Sequence, residues 1–236
     1  MKPARPSAAR VLTGSCLLLA IAALLALGTW QVQRLAWKRA LIAQVAARLR
    51  AAPVPAPGPA AWAGIGPRDA YRRVSAQGAF LPGRDTFVQA VTVRGPGWWA
   101  ITPLRTGAGA TILVNRGFVP TRAPLPPEPG ARTVTGLLRL SEPRGGFLRA
   151  NAPAPDRWYS RDVAAIAARR GIGPVAPYFI DADAGRAAPG APVGGLTVVA
   201  FPNNHLIYAL TWYGLAVMAM IGLVFWYRAG RRDGVR

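Results

Sequence analysis

Two long apolar segments near opposite ends of the chain constrain its fold more than any other feature. Val11–Gln33 contains no charged residue and lies between Arg10 and Arg34. Leu206–Tyr227 is also uncharged and is followed directly by Arg228. An α-helix needs about 20 residues to cross the hydrocarbon core of a bilayer, and each segment reaches that length. We therefore predict two transmembrane helices with a domain between them.

The first apolar segment has an alternative interpretation as a cleaved signal sequence, because a short basic leader precedes it. It is longer than the apolar region of a usual signal, however, and it ends in Trp30, Gln31, Arg34 and Trp37, a pattern typical of an interfacial anchor. Retention of the helix is therefore favoured. The leader is also too short for a mitochondrial transit sequence, so we expect a bacterial plasma membrane.

Basic residues after the second apolar segment predict the orientation of the chain. Arg228, Arg231, Arg232 and Arg236 follow the segment, and no Lys or Arg lies between Arg186 and Arg228. Segments rich in Lys and Arg next to a transmembrane helix remain in the cytoplasm, so the C-terminus should be cytoplasmic. Two crossings then place the N-terminus in the cytoplasm as well. The basic residues around the first segment are less decisive. The expected localisation is the inner cell membrane, with a periplasmic central domain.

The predicted organisation has six parts. They are a cytoplasmic leader (1–10), a first transmembrane helix (11–33), a juxtamembrane helix with a Pro/Ala spacer (34–61), a periplasmic domain (62–204), a second transmembrane helix (205–227) and a basic cytoplasmic tail (228–236). Within the third part, Leu35–Arg50 has apolar residues at helical spacing and can extend the first helix. The Pro- and Gly-containing tract Ala51–Ala61 predicts a semi-rigid spacer.

The central domain has the pattern of an α+β fold with an antiparallel sheet. Its predicted strands are short, rich in Val, Ile, Thr and aromatic residues, and bounded by Gly, Pro or Asp. They are Tyr71–Phe80, Thr86–Val93, Trp98–Leu104, Thr111–Val119, Thr133–Leu140 and Val175–Ile180. A helix is predicted from Ser160, as its N-cap, to Gly171. Asp183–Gly195 is predicted to be an irregular loop.

Composition limits the classes of partner. A net charge of +20 would suggest nucleic acid in a soluble protein, because phosphate contacts dominate such binding. The arginines are scattered rather than clustered, so we expect no nucleic-acid partner and favour attraction to the anionic headgroups of a lipid bilayer. Cys16 is the only cysteine, which excludes an intramolecular disulfide, a thiolate metal site and copper delivery by paired cysteines.

Few residues suggest catalysis. The chain has a single His, its single Cys lies in an apolar segment, and no glycine-rich phosphate loop follows a predicted strand. Asp181 and Asp183 would share one face of a strand, but neighbouring carboxylates are more often solvated turn residues than a catalytic pair. We therefore expect a protein that is not an enzyme.

His205 is the most informative polar residue, because it begins the second apolar segment and precedes Tyr208 and Trp212. If the helix has begun at His205, spacings of three and seven place these side chains on one face. A neutral imidazole there can ligate a haem iron, with arginines such as Arg116 for the haem carboxylates. Alternatively, His205 caps the helix at the bilayer interface within an aromatic belt, and spacing alone favours this second interpretation.

Three motifs resemble signatures of the Surfeit locus protein 1 family. They are Gly28–Arg34 with Trp37 and Lys38, Val114–Pro120, and Asn203–Leu206 with Tyr208–Ala216. The resemblance covers nearly the whole chain in the right order, and the last motif is specific. Phe118 stands where many relatives carry Trp, which is a change between two large aromatic residues.

The resemblance implies an assembly factor for haem-copper terminal oxidases, chiefly cytochrome c oxidase. Bacterial members of the family are thought to bind haem a and to help place it in the catalytic subunit. The implied cofactor is therefore haem a, and the implied partners are the membrane-embedded catalytic subunit and the machinery that synthesises haem a. Applied to this sequence, the resemblance favours His205 as the ligand of the haem iron. The other residues expected at the cofactor are Tyr208, Trp212, Trp30, Arg34 and Arg116.

Three hypotheses follow for function. The preferred one is a haem a chaperone and assembly factor, and the second is a purely structural partner that stabilises an apo-oxidase subunit without cofactor. The third, an enzyme acting on lipid or haem at the membrane surface, lacks an evident base. Two of the site residues also have structural interpretations, since Arg34 can bond lipid phosphate and Arg116 can fix a turn between Asn115 and Gly117.

Overall fold

The computed structural model describes residues 8–146, 148–185, 189–199 and 201–233, apart from the side chains of Arg232 and Asp233. The chain divides into two compact units. One contains the residues up to Gln44 and those from position 200 onward, and the other is Val45–Val199. The first seven residues of the predicted leader and the last three of the predicted tail lie outside the described residues.

Most of the strands follow one another along the chain without an α-helix between them. The α-helices are α1 (Ala8–Arg50), α2 (Val163–Arg170) and α3 (His205–Asp233). The strands are β1 (Val54–Pro55), β2 (Arg73–Phe80), β3 (Thr86–Thr92), β4 (Gly95–Thr106), β5 (Thr111–Val119), β6 (Arg132–Leu140) and β7 (Val175–Ala182). A 3₁₀ helix, Pro59–Gly64, follows β1.

The first unit is built from α1 and α3, which pack against each other in antiparallel orientation. Gln31 contacts His205 at one end of the pair, and Arg10 bonds the carbonyl of Gly230 at the other. Both helices are long and apolar enough to cross a membrane. Only 11% of the most apolar window of each helix is buried, so their apolar side chains face outward. α1 continues unbroken through Leu35–Arg50, as the helical spacing there predicted.

Five strands of the second unit close into a barrel. β2 pairs with β6 over Arg73–Gly78 and with β4 over Gly78–Phe80, so the circuit β2-β6-β7-β5-β4 returns to β2. β2 changes neighbour at Gly78, where a Cβ atom would collide with the carbonyl of Arg105. Glycine permits this close approach of two backbones. β1 and β3 extend the sheet beyond the barrel, at β2 and β4 respectively.

The prediction of an antiparallel sheet is wrong for two strand pairs. β5 and β7 are parallel, and so are β1 and β2. β7 lies between β5 and β6, and it is antiparallel only to β6. Alternating hydrophobicity indicates that a segment is a strand, but it does not encode the direction of the neighbouring strand. The sheet is therefore mixed.

The core has two layers because β5 and β7 are buried on both faces. Ile112 and Val114 of β5 belong to the barrel interior, together with buried residues of the other four barrel strands. Leu113 lies on the opposite face of β5 and packs in a second cluster with Ile166 of α2 and with Trp158. The barrel interior and the layer under α2 thus share the same strands.

The tract Ala51–Ala61 is not a spacer, because it forms part of the barrel domain. It contributes β1, which pairs with β2, and it leads into the 3₁₀ helix, whose Trp62 packs against the core. The hydroxyl of Tyr178 donates a 2.7 Å hydrogen bond to the carbonyl of Pro57. Burial raises the pKa of Tyr178, which keeps its hydroxyl protonated for that bond. Prolines are tolerated here because the tract lies at a sheet edge.

α2 begins later than its sequence predicted. Asp162, not Ser160, is the N-cap, and its side chain accepts a hydrogen bond from the amide of Ala165. The hydroxyl of Ser160 instead donates to the carbonyl of Glu142 at 2.6 Å. The helix ends at Gly171, as predicted. In the predicted loop Asp183–Gly195, residues 186–188 lie outside the described residues.

Candidate functional site

The helix pair places His205 against a polar residue of the other helix. His205 is the first residue of α3, and its Nδ1 atom lies 2.8 Å from Oε1 of Gln31 on α1. Gln31 is only 8% exposed. The amide oxygen of Gln31 accepts a hydrogen bond from Nδ1 in the tautomer that carries its proton there. In the neutral imidazole, the lone pair is then on Nε2, which is the state needed to bind a metal ion.

Small residues allow the two helices to approach closely below this polar contact. Gly28 of α1 faces the ring of Tyr213, and the hydroxyl of Tyr213 lies 3.1 Å from Oγ1 of Thr29. On α3, Ala209 and Ala216 are buried in the pair. Glycine and alanine at such positions bring helices together through van der Waals contact, as in membrane helix pairs.

The aromatic residues predicted near the haem lie largely outside the contact between α1 and α3. Trp30 and Tyr208 are each 53% exposed, and Trp212 is half-buried. Arg34 is exposed, and its guanidinium stacks on the ring of Trp37, 4.1 Å from the centroid. Tyr208 lies one helical turn from His205, and Trp212 lies two turns away on the same helix. These side chains are therefore available to a ligand or to lipid.

Arg116 belongs to the barrel domain, not to the helix unit that holds His205. The expected tight turn at Arg116 is a β-bulge instead, because Ala100 pairs with Gly117, Ile101 pairs with Asn115, and Arg116 is the extra residue. A bulge redirects the side chain of its extra residue. Gly117 there has a φ of 130° and lies against the backbone of Val193, so a larger residue does not fit.

The guanidinium of Arg116 is paired, not free. It forms an ion pair with Glu128, which also pairs with Arg132. Both arginines stack on the ring of Phe80, and the side chain of Arg116 is only 8% exposed. These groups line a cleft of about 520 Å³ that also contains Asp183. Because two arginines face two carboxylates, the cleft has no excess of positive charge among these four groups.

A buried carboxylate, Asp181, connects several elements of the barrel domain. It accepts hydrogen bonds from Asn115 at 2.8 Å, from Arg139 at 2.9 Å, from Thr197 at 3.0 Å and from Arg161 at 3.2 Å. Burial acts to lower the pKa of Arg161, but Asp181 and Glu142 outweigh that effect and raise it. The guanidinium of Arg161 is therefore held in its charged form.

The two carboxylates considered as a catalytic pair lie in separate ion pairs. Asp183 pairs with Arg73 at the end of β7, whereas Asp181 is only 2% exposed and surrounded by donors. A general base needs a lone pair that can reach a substrate proton. The hydrogen bonds of Asp181 occupy its oxygens, so this arrangement is suited to stability and not to proton transfer.

Sequence reasoning missed Gln31 and Asn115, which are hydrogen-bond partners of His205 and Asp181. In the sequence, Gln31 fits an interfacial anchor pattern, but a polar residue inside an apolar helix usually has a specific partner. Asn115 favours a tight bend with Gly117 in the sequence, and in the fold its side chain bridges the amide of Gly117 and the carboxylate of Asp181. Among the described residues, no group of three or more His, Cys, Asp or Glu side chains is placed to hold a metal ion.

The comparisons with known proteins decide the family. The model of the SURF1 family matches residues 18–217, which include both His205 and Gln31. This chain belongs to the SURF1 family. The resemblance seen in its motifs is thereby confirmed, while its bacterial origin stays a prediction.

The similarity to individual members of the SURF1 family extends over most of the chain. Surfeit locus protein 1 of Mus musculus is 39% identical over 223 residues, which cover 84% of this chain and 70% of that protein. The Homo sapiens protein is 38% identical over 215 residues, covering 80% and 69%. A SURF1-like protein of Monosiga brevicollis is 36% identical over 231 residues, covering 89% and 86%.

Proposed function

We propose that this chain is a membrane-anchored assembly factor for cytochrome c oxidase that binds haem a and assists its insertion into the catalytic subunit. Membership of the SURF1 family supports the role in oxidase assembly. The outward-facing apolar side chains of α1 and α3 support insertion of the helix pair in a bilayer, because such surfaces are unfavourable in water. The proposed partner is the membrane-embedded catalytic subunit, with the haem a synthesis machinery as the source of the cargo.

The hydrogen bond between His205 and Gln31 is the observation that supports haem binding. It fixes the ring orientation and leaves the lone pair on Nε2, as second-shell partners do for metal-binding histidines. When bound, the haem would supply an iron that the neutral imidazole of His205 would ligate. Tyr208 and Trp212 would flank the ligand along α3, and Trp30 adjoins Gln31 on α1.

The proposed orientation places both termini in the cytoplasm and the barrel domain in the periplasm of an inner membrane. Its support is the basic sequence after the apolar part of α3, which includes Arg228 and Arg231. A hydrophobic macrocycle is poorly soluble in water, so a site at the bilayer edge suits its transfer to a membrane subunit. Arg34, stacked on Trp37, has a charged group available for a haem carboxylate or a lipid phosphate.

A purely structural assembly partner is the second candidate function. One observation favours it: the hydrogen bond between His205 and Gln31 joins the two helices. In that case the imidazole would stabilise the helix pair, and the oxidase subunit would be stabilised by protein contacts alone. We propose no catalytic reaction for either candidate.

Absorption spectroscopy distinguishes the two candidates. The full chain is purified in detergent from a host that makes haem a, and its reduced-minus-oxidised spectrum is recorded. We expect the spectrum of a histidine-ligated haem. The haem should be absent from His205→Ala, and Gln31→Ala should contain less haem than the native chain. Thr211→Ala is the matched control, because its hydroxyl is exposed and donates to the carbonyl of Ile207 in its own helix. An unchanged haem content in His205→Ala would support the structural candidate instead.

A further inference from the structure

A cleft lies between α1 and α3 at the end of the helix pair opposite to His205. It encloses about 380 Å³ and is formed by the first turns of α1 and the last turns of α3. Its apolar lining includes Val11 and Leu18 of α1, which are 54% and 58% exposed, and the half-buried Trp226 of α3. We call it the terminal cleft. Both helices belong to the same compact unit, so the cleft is a feature of that unit alone.

Two glycines shape the walls of the terminal cleft. The ring of Trp226 on α3 packs over Gly14 of α1, where an added Cβ atom would lie 3.3 Å from Cη2. In the same way, the guanidinium of Arg10 on α1 packs over Gly230 of α3, and its Nη1 atom donates a 3.1 Å hydrogen bond to the Gly230 carbonyl. All four residues line the cleft. An aromatic ring and a positive charge are therefore fixed in its walls.

The terminal cleft is basic. Besides Arg10, it is lined by the exposed Arg231, whose guanidinium stacks on the ring of Tyr227, 5.6 Å from the centroid. A guanidinium stacks through its flat face, and its N–H groups lie in the plane, where they can bind phosphate. The sequence adds further positive charge, because positions 1–10 and 228–236 together contain seven Lys or Arg residues and one acidic residue, Asp233. An anion is therefore favoured in this cleft.

An anionic phospholipid combines the two properties that the terminal cleft requires. Its phosphate is complementary to Arg10 and Arg231, and its acyl chain is complementary to Val11, Leu18 and Trp226. A soluble anion would leave the apolar wall in contact with water, and an uncharged apolar segment would gain nothing from the positive charge. Basic pockets between transmembrane helices are suited to anionic lipid headgroups, and Trp is enriched at the boundary between headgroups and acyl chains.

We propose that the terminal cleft binds one anionic phospholipid, with the phosphate at the two arginines and an acyl chain against Val11, Leu18 and Trp226. The inference rests on the membrane anchoring proposed above, but not on haem binding, on oxidase assembly or on the orientation of the chain. It adds a specific lipid site to the helix pair that anchors the protein.

Native mass spectrometry of the full chain in detergent tests the proposal. Phosphatidylglycerol is titrated, with phosphatidylcholine of the same acyl chains as the reference, and the bound lipids are counted. Arg231→Gln removes a charge from the lining of the cleft. Arg228→Gln is the matched control, because it removes the same charge one turn away, from a residue that is not among those described as lining the cleft. Ser15→Trp fills the cleft at unchanged charge, since Ser15 is an exposed lining residue.

We expect the native chain to bind one phosphatidylglycerol more tightly than phosphatidylcholine. The affinity should fall about fivefold in Arg231→Gln, the usual effect of one arginine near anionic lipid, fall also in Ser15→Trp, and stay unchanged in Arg228→Gln. Equal affinities for the two lipids, or equal losses in the two arginine variants, would overturn the proposal. So would equally tight binding of glycerol phosphate, which would indicate a soluble ligand, or a dimer that excludes lipid, which would assign the cleft to a second copy of this chain.

Flotation with liposomes separates failure of the anchoring from failure of the lipid site. If the native chain does not float with phosphatidylcholine liposomes, the anchoring and the lipid site are both wrong. If it floats but shows no preference for phosphatidylglycerol in the mass spectra, the lipid site alone is wrong. Neither measurement involves haem, so both results are independent of the absorption spectra that test haem binding.

Discussion

Gly28 and Tyr213 are in such close contact that no side chain fits between the two helices at this point. A Cβ atom at position 28 would lie 2.7 Å from Cε1 of Tyr213 and 2.8 Å from its Cδ1. The ring has little freedom to move, because its hydroxyl lies 3.1 Å from Oγ1 of Thr29. This contact sets how closely α1 and α3 approach, and therefore whether Gln31 reaches His205 a turn further along.

We predict that Gly28→Ala weakens the helix pair by about 1–3 kcal/mol, the usual cost of overpacking a close contact. Gly214→Ala is the control, since a Cβ atom there meets nothing within 4 Å. It should be neutral or mildly stabilising because alanine favours helix. Thermal unfolding in detergent measures both variants, and equal stability of the two would contradict the packing argument.

The hydrogen bond between His205 and Gln31 should appear as a coupling energy. Gln31→Ala and His205→Ala each leave one buried or half-buried polar group without its partner, so the double variant should cost less than the sum of the two. Interhelical hydrogen bonds in membranes contribute about 0.6 kcal/mol on average and up to about 1.7 kcal/mol. A double-mutant cycle of unfolding free energies in bicelles measures the coupling, and strictly additive effects would show that the bond contributes nothing.

Asp181→Asn should strongly destabilise the barrel domain. The carboxylate is 2% exposed and compensates the charges of Arg139 and Arg161, whose side chains are 17% and 15% exposed. Removing one member of a buried ion cluster leaves uncompensated charge and costs about 3–5 kcal/mol. Chemical unfolding followed by circular dichroism measures the loss.

Asp183→Asn is the matched control for this variant. Asp183 is 37% exposed in its side chain and pairs with Arg73, so its loss should cost no more than about 1 kcal/mol. Similar costs for the two variants would mean that the Asp181 cluster does not stabilise the domain as its contacts indicate.

Much of the barrel domain could be predicted from local pattern. Thr111–Val119 matches β5 at both ends, because β-branched and aromatic residues there fill both faces of a central strand. The N-cap of α2 was misplaced because Ser160 and Asp162 are both good caps, and only the tertiary bond from Ser160 to Glu142 decides between them. The prediction of a spacer at Ala51–Ala61 is wrong because proline does not prevent an edge strand. An edge strand such as β1 needs few backbone amide donors, so it can form in a Pro-rich tract.

The candidate site was predictable only in part, because its geometry depends on residues far apart in sequence. The spacing of His205, Tyr208 and Trp212 does place them on one helix that begins at His205. The partner of His205 lies 174 positions away, and no local pattern connects it to Gln31. Arg116 was grouped with the haem site from residue type alone, whereas its ion pair with Glu128 is a property of the folded barrel.

The last prediction concerns acid stability and depends on Asp156. Burial alone would raise the pKa of its carboxyl, but hydrogen bonds from Trp158 and Arg170 and the charges of Arg170 and Arg122 lower it below its ordinary value. A carboxyl whose pKa is lower in the folded state stabilises the fold above its unfolded pKa of about 3.9, and this contribution is lost as pH falls through the folded value. We therefore expect the free energy of unfolding to decline below about pH 4 in the native chain.

Asp156→Asn should be less stable at neutral pH and show a shallower decline in the same range, as measured by urea unfolding at a series of pH values. Parallel curves for the two proteins would show that Asp156 does not contribute to the acid sensitivity.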